Sequence, residues 1–326
     1  MAVHLITGGA GFIGSHLADL LVEENQVLIA DDLSAGRVEF LEKGLVSNAV
    51  TLIKTDIATE KGWEPVYRAL DHIGPLQRIW HLAANSDIPA GVKDAKVDFR
   101  KTFLTTFLAV EFAKKVGCSE FAFSSTSAVY GENDAILSET VGPLMPISNY
   151  GAMKAAGEAC VSAFAHAGNR RAWIFRFPNV IGPRSTHGVI RDLICKLMKD
   201  PQRLEVLGDG TQQKPYLHVS ELIEAMAFIA RNDFGPLGLY NIGPNDAGAT
   251  VRFIAESVLQ AISPQATISY TGGDRGWPGD VPKFSYDISK LRSLGWSPKF
   301  GSRQAVQRAV VEIKAELEEA SGCVVR

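Results

Sequence analysis

The chain has 326 residues, a formal net charge of −3 and an isoelectric point near 6.2. That length supports two domains or one large α/β unit with a sizeable core, and the charge offers no basic field for nucleic acid. Cysteines at 118, 160, 195 and 323 are too far apart for a zinc site or disulfide framework, so reduced thiols and a cytoplasmic location are expected, with no metal. No stretch reaches the ~20 apolar residues of a membrane-spanning helix. The apolar N-terminus lacks a basic leader and is broken by glycines, which argues against a signal peptide.

The first elements form a strand, a glycine-rich turn and a helix. Val3 to Ile6 is apolar, Gly8, Gly11 and Gly14 follow, and Ile13, Leu17, Leu20 and Leu21 line one helical face. Glycines at this spacing allow a tight turn, a bare backbone against a pyrophosphate and close helix-to-strand packing, while the helix start offers N–H groups to the anion. Phe12 and Ile13 belong to the same turn. Gln26 to Ala30 reads as a second strand ending at Asp31. An acid there suits the hydroxyls of an adenosine ribose and repels a 2′-phosphate, which favours NAD over NADP.

Strand-like runs at Val50 to Lys54, Arg78 to Leu82, Phe121 to Ser124 and Arg171 to Phe177 alternate with helical periods near 98 to 116 and 149 to 166. That alternation predicts a doubly wound parallel sheet of Rossmann type. From Pro178 onward prolines punctuate shorter elements and Gly208-Asp209-Gly210 marks a turn. The expected division is an NAD-binding domain over 1–177, with 217–242 returning to it, and a smaller α/β substrate lobe over 178–326. The stretch Arg303 to Ala320 reads as a charged, amphipathic capping helix.

Tyr150 and Lys154 stand four residues apart, on one face of a helix. An ammonium beside the phenol and a cationic nicotinamide above it would both favour the phenolate, giving a base near neutrality. Upstream, Ser124-Ser125-Thr126-Ser127-Ala128-Val129-Tyr130-Gly131 is a hydroxyl-rich turn at a strand's carboxyl end, where ligands of such sheets sit. Thr126 can bond a substrate hydroxyl there while Tyr150 takes its proton. His81, on an apolar strand, reads as a satisfied core histidine.

Through Thr7 to Gly14, Asp31-Asp32-Leu33, Asp56-Ile57, His81 to Ala84, Ser124 to Gly131, Tyr150 to Lys154, Arg176 to Val180, Gly208 to Gly210 and Gly279 to Pro282, the chain resembles extended short-chain dehydrogenase/reductases of the UDP-glucose 4-epimerase group. The resemblance implies that Gly8, Gly11 and Gly14 take the pyrophosphate, Asp31, with Asp32 beside it, the adenosine ribose, and Asp56 and Ile57 the adenine. Leu82, Ala83, Ala84 and Ser124 would border the nicotinamide side. Tyr150 matches the base, Lys154 its partner on the nicotinamide ribose, Thr126 the substrate contact and Asn179 a diphosphate contact. Asn85 lies where the sugar should sit, and a loop hydrogen-bond network accounts for it equally. A homodimer through the helices near 98 to 116 and 149 to 166 is also implied.

Relatives that eliminate water follow the threonine with Asp-Glu, and UDP-glucuronate decarboxylases carry glutamate at the second position; here Ser127 and Ala128 stand instead. Without those acids a departing hydroxyl has no proton source, which leaves oxidation and re-reduction at one carbon. The expected enzyme is therefore an NAD-dependent isomerase acting at carbon 4 of a UDP-sugar. Phe284 matches a bulky gate that excludes N-acetylated sugars, so UDP-glucose/galactose is favoured and UDP-glucuronate comes next. The alternatives are a nucleotide-sugar reductase or dehydrogenase that releases its cofactor and, more remotely, a non-catalytic dinucleotide-binding protein.

The pattern also departs from the group. Met153 replaces a common Ser or Thr, Thr102 an asparagine that contacts the cofactor, and Trp277 the usual arginine before Asp280. Arg275 is expected to reach the diphosphate instead, guanidinium forks suiting phosphate oxygens. Lys214 is either a phosphate or ribose contact or a solvated charge. Arg184 to His187 either meets a sugar carboxylate or caps the helix that starts near Gly188.

Overall fold

The computed structural model describes residues 1–133, 136–273 and 281–321, and they divide into two compact units. The first holds residues 1–132, 139–177 and 223–240, the second 133–138, 178–222 and the chain from 241 onward.

The first unit is built on a seven-stranded parallel sheet flanked by helices, the Rossmann-type fold. In chain order its strands are β1 Ala2–Thr7, β2 Asn25–Asp31, β3 Val50–Lys54, β4 Leu76–His81, β5 Glu120–Thr126 and β6 Arg171–Phe177, with Leu237–Asn241 on the edge beside β6. Across the sheet the order is β6-β5-β4-β1-β2-β3, so the connection from β3 to β4 crosses over β1 and β2. The register pairs Leu5 with Leu28 and Ile79, and Phe123 with His81 and Ile174. These central strands are apolar on both faces because helices cover both. Leu5, Ile6, Trp80, Phe121 and Phe123 are fully buried, each stabilising the fold by roughly 1.5–3 kcal/mol.

The helical period near 98 to 116 resolves into a short helix Ala95–Asp98, a π-helical turn Phe99–Leu104 and an α-helix Thr105–Lys115. Threonine hydroxyls brace that turn: Thr105 Oγ1 donates to the Lys101 carbonyl at 2.8 Å and Thr106 Oγ1 to that of Thr102 at 2.7 Å. The helix Asn149–His166 is capped by Ser148, whose hydroxyl accepts from Gly151 N at 3.1 Å.

The strands of the second unit, among its described residues, are short. Asn179–Ile181 pairs with Tyr216–His218, Gln213–Lys214 with Ala249–Thr250, and Arg203–Val206 with Thr267–Tyr270. Helices Val189–Lys199, Val251–Ile262 and Ser302–Ser321 share a core with Leu193, Ile194, Val258, Ala309 and Ile313. The last of these helices therefore buries an apolar stripe as well as presenting charge. Gly188 caps the first without a side-chain bond, and Thr186 Oγ1 and His187 Nδ1 contact each other at 3.1 Å, so the 184–187 loop does not serve as its side-chain cap.

Candidate functional site

The glycine turn sits at the carboxyl end of β1. Gly8 adopts φ +69°, and a Cβ there would lie 2.8 Å from Ala83 N; a Cβ on Gly14 would lie 2.3 Å from Gly8 O. Both positions exclude side chains, the first also through backbone conformation. Helix Phe12–Leu21 starts at Gly11 with no side-chain cap, leaving its first N–H groups for a ligand. Phe12 and Ile13 are partly buried in its first turn.

Asp31 ends β2 with its carboxylate buried: Oδ2 accepts from Ala10 N at 2.9 Å and Oδ1 from Leu33 N at 2.8 Å. Desolvation pushes its pKa up, against those two hydrogen bonds. Each oxygen keeps a lone pair for a ribose hydroxyl. Asp32 is exposed, and its Oδ1 accepts from Ser34 N at 2.8 Å. Beyond β3, Asp56 Oδ1 accepts from Ala58 N at 3.0 Å, and Oδ2 is ion-paired with Arg100. Ile57 is buried, and its carbonyl accepts from Trp63 Nε1 at 3.1 Å.

After β4, Leu82, Ala83 and Ala84 run partly exposed alongside Gly8 and Thr7. His81 is the core histidine the sequence implies. Its Nδ1 meets Thr7 Oγ1 at 2.8 Å, its Nε2 meets Thr106 Oγ1 at 3.0 Å, and burial holds its pKa at about 3. Asn85 is buried in a loop hydrogen-bond network: its Nδ2 donates to Asp98 Oδ1 and to Asp87 O, both at 2.8 Å, and its N–H donates to Thr102 Oγ1 at 3.1 Å. Thr102 thus holds the loop after β4.

At the carboxyl end of β5 the structure brings Thr126, Tyr150 and Lys154 together. Thr126 accepts from Ala128 N at 3.2 Å and is hydrogen-bonded with the Tyr150 phenol. That approach needs Gly151, where a Cβ would lie 2.6 Å from Ala128 O. Lys154 is buried; its Nζ donates to Ser124 O at 2.6 Å and to Ser124 Oγ at 3.2 Å, and lies 5.9 Å from the centre of the Tyr150 ring.

The electrostatics here are those of the chain without its cofactor. Burial pushes the Tyr150 phenol up and the Asp98 carboxylate adds to it, outweighing the Thr126 hydrogen bond. Lys154 itself is lowered to about 7 by burial, with Glu158 opposing.

Glu158 is a residue that motif reading missed. It follows Tyr150 and Lys154 at the same four-residue step, and its carboxylate meets Arg176 Nε at 2.8 Å, Arg176 Nη2 at 2.6 Å and the Ser125 hydroxyl. The repeat of four along one helix was the available signal. Asp98, also missed, carries no motif; it is buried, and its Oδ2 has no hydrogen-bond partner.

Three expected substrate contacts belong to the second unit. Asn179 is exposed at the start of its strand, Lys214 is buried rather than solvated, and Phe284 is buried edge-on against Tyr286 with ring centres 5.7 Å apart. Arg275, Trp277 and Asp280 lie outside the described residues. No group of three or more metal-ligating side chains occurs among the described residues, and none of their helices is long and apolar enough to cross a membrane.

The profile of the NAD dependent epimerase/dehydratase family matches residues 4–243. The UDP-glucose 4-epimerase of Azospirillum brasilense is 29% identical over 98% of this chain and 93% of its own. UDP-glucuronic acid decarboxylase 3 of Arabidopsis thaliana is 31% identical over 93% of this chain and 86% of its own. The crystal structure of Thermus thermophilus UDP-glucose 4-epimerase, a complex with NAD, superposes with a TM-score of 0.82 at 29% identity, covering 95% of this chain and 98% of that one. With more than half its length matched and a Rossmann-type sheet carrying the glycine turn, the chain belongs to the NAD-dependent epimerase/dehydratase family of extended short-chain dehydrogenase/reductases.

Proposed function

We propose that this enzyme interconverts the carbon-4 epimers of a UDP-hexose. The observation that carries the reading is the Thr126–Tyr150–Lys154 constellation beside a turn, Thr126 to Gly131, that contains no carboxylate. Ser127 and Ala128 stand where the resemblance gives dehydratases Asp-Glu and UDP-glucuronate decarboxylases a glutamate, which supports this reading over both; for a dehydration, the turn offers no carboxylic acid to protonate the departing hydroxyl.

The residues act as follows. Thr126 orients the sugar 4-hydroxyl toward Tyr150, which accepts its proton as carbon 4 is oxidised and returns it when the opposite face is reduced. NAD, when bound, supplies the two-electron acceptor and donor, and its ring charge favours the phenolate. Lys154, fixed by Ser124, adds positive charge below the Tyr150 ring and donates toward the nicotinamide ribose. Gly8, Gly11, Phe12, Ile13 and Gly14 hold the pyrophosphate, Asp31 and Asp32 the adenosine ribose, and Asp56 and Ile57 the adenine. The first unit is the NAD-binding domain. Asn179, Lys214 and Phe284 of the second contact the nucleotide sugar, and the bulk of Phe284 selects UDP-glucose/galactose over N-acetylated sugars, with UDP-glucuronate second.

We place the enzyme in the cytoplasm as a homodimer joined through helices Thr105–Lys115 and Asn149–His166. Redox neutrality tests the reaction class. Absorbance of reduced nicotinamide should show no net change during turnover, whereas steady accumulation or consumption would assign a dehydrogenase or reductase instead.

A further inference from the structure

The π-helical turn Phe99–Leu104 is anchored at the carboxyl end of β4, through Thr102 to Asn85 and, one turn on, through Thr106 to His81. From this anchor two basic side chains reach across the sheet's carboxyl edge. Lys101 Nζ donates to Ser34 Oγ at 3.0 Å and lies 3.8 Å from Asp32 Oδ2, in the loop after β2. Arg100 pairs with Asp56 Oδ2, just after β3. Because the sheet order is β4-β1-β2-β3, both bridges span the position of β1, whose carboxyl end opens the glycine turn. In such sheets the dinucleotide lies outside that edge. Hydrogen bonds from Ser34 and the charges of Lys101 and Arg100 hold Asp32 below the usual carboxylate range, although burial opposes them.

We infer that Arg100 and Lys101 form an ion-paired clip across the adenosine end of the bound dinucleotide, and that opening this clip limits the cofactor's release. The inference rests on the placement of adenosine at Asp31 and Asp56 proposed above. All four charged side chains are substantially exposed, from 38% for Asp32 to 56% for Arg100. Pairs of this kind are weak and screened by salt, so the clip can part without unfolding the domain. The π-turn is what distinguishes it from ordinary surface pairing. One irregular turn, braced by threonine hydroxyls, supplies both cations at adjacent positions, to two acids that belong to different loops. A reaction that restores its cofactor in every cycle gains from such retention, since each loss would idle the enzyme.

The test follows NAD leaving the holoenzyme, trapped as it is freed by excess alcohol dehydrogenase with ethanol. For the unaltered protein, release should accelerate roughly three- to tenfold between low and high sodium chloride, the range expected for two exposed pairs. Arg100→Gln/Lys101→Gln should release NAD at the fast rate already at low salt and lose the salt dependence, while Arg100→Lys/Lys101→Arg restores both. A purely structural role would instead lower the thermal midpoint of the NAD-free protein and leave the salt dependence of release unchanged. Release from the Gln double variant at the unaltered rate would overturn the clip. NAD affinity indifferent to Asp31→Asn would overturn the adenosine placement beneath it.

Discussion

Arg176 grips both carboxylate oxygens of Glu158, Nε to Oε1 at 2.8 Å and Nη2 to Oε2 at 2.6 Å, one helical turn beyond Lys154. Both side chains are buried, at 5% and 8% exposure. The guanidinium also lies 4.7 Å from the centre of the Tyr130 ring, so the pair ties β6 to the active-site helix and to the turn after Thr126.

Removing one partner of a buried pair leaves the other uncompensated. Glu158→Gln should cost roughly 3–5 kcal/mol of stability in denaturant titration. It should also take away the charge that supports a protonated Lys154, moving the alkaline limb of the rate profile to lower pH. Unchanged stability together with an unchanged profile would contradict this role.

The glycine turn makes a prediction of contrast. A Cβ at Gly14 would lie 2.3 Å from Gly8 O, whereas at Gly11 the nearest atom is 3.3 Å away. Gly14→Ala should therefore destabilise by about 1–3 kcal/mol, and Gly11→Ala should leave the fold near its native stability. Thermal midpoints of the two variants, compared side by side, decide it; equal midpoints would be the contrary result.

Acid should weaken the fold through buried histidines. His81 is held at about 3 and His4 at about 4, both chiefly by desolvation. Each folded value lies below the ordinary 6.5, so the unfolded chain binds more protons and stability falls as pH drops from 6.5 toward 3. The loss should be on the order of a few kcal/mol. His81→Gln, which can still meet Thr7 and Thr106, should flatten part of that slope in melts recorded across the window. A slope identical to the unaltered protein's would mean that His81 carries none of this acid sensitivity.

Phe99, Phe103 and Phe107 form a ladder with ring centres 6.0 and 6.5 Å apart, and Phe107 is 43% exposed. On the proposed dimer, Phe107→Asp should convert a dimer into a monomer in sedimentation, with the fold retained by circular dichroism. A protein already monomeric before the substitution would remove the dimer.

Local signals made much of the molecule legible. The strand, glycine turn and helix at the start, the alternation that predicts a parallel sheet, and the Tyr150–Lys154 step all lie within one or two elements, where spacing maps directly onto geometry. What escaped depends on distant partners. The period near 98 to 116 hides a π-turn that no residue type marks, and the pairing of Arg100 and Lys101 with acids after other strands cannot be read from spacing. Asn85 reads from the sequence as a sugar contact or a member of a loop network, and its distant partners Thr102 and Asp98 are what the spacing does not name. Paired strands of only two to four residues in the second unit are too short to show a period. Tyr150 illustrates a different limit: the sequence shows the lysine nearby, but burial, which raises the phenol, is a property of the fold.

Carbon-4 epimerisation is decided by chromatography of the products after incubating the enzyme with UDP-glucose, UDP-galactose, UDP-glucuronate and UDP-N-acetylglucosamine separately. Carbon-4 epimerisation gives interconversion of UDP-glucose and UDP-galactose, no conversion of the N-acetylated sugar, and loss of turnover in Tyr150→Phe with NAD still bound. Formation of a pentose from UDP-glucuronate, or no conversion of any of the four with NAD supplied, would contradict it.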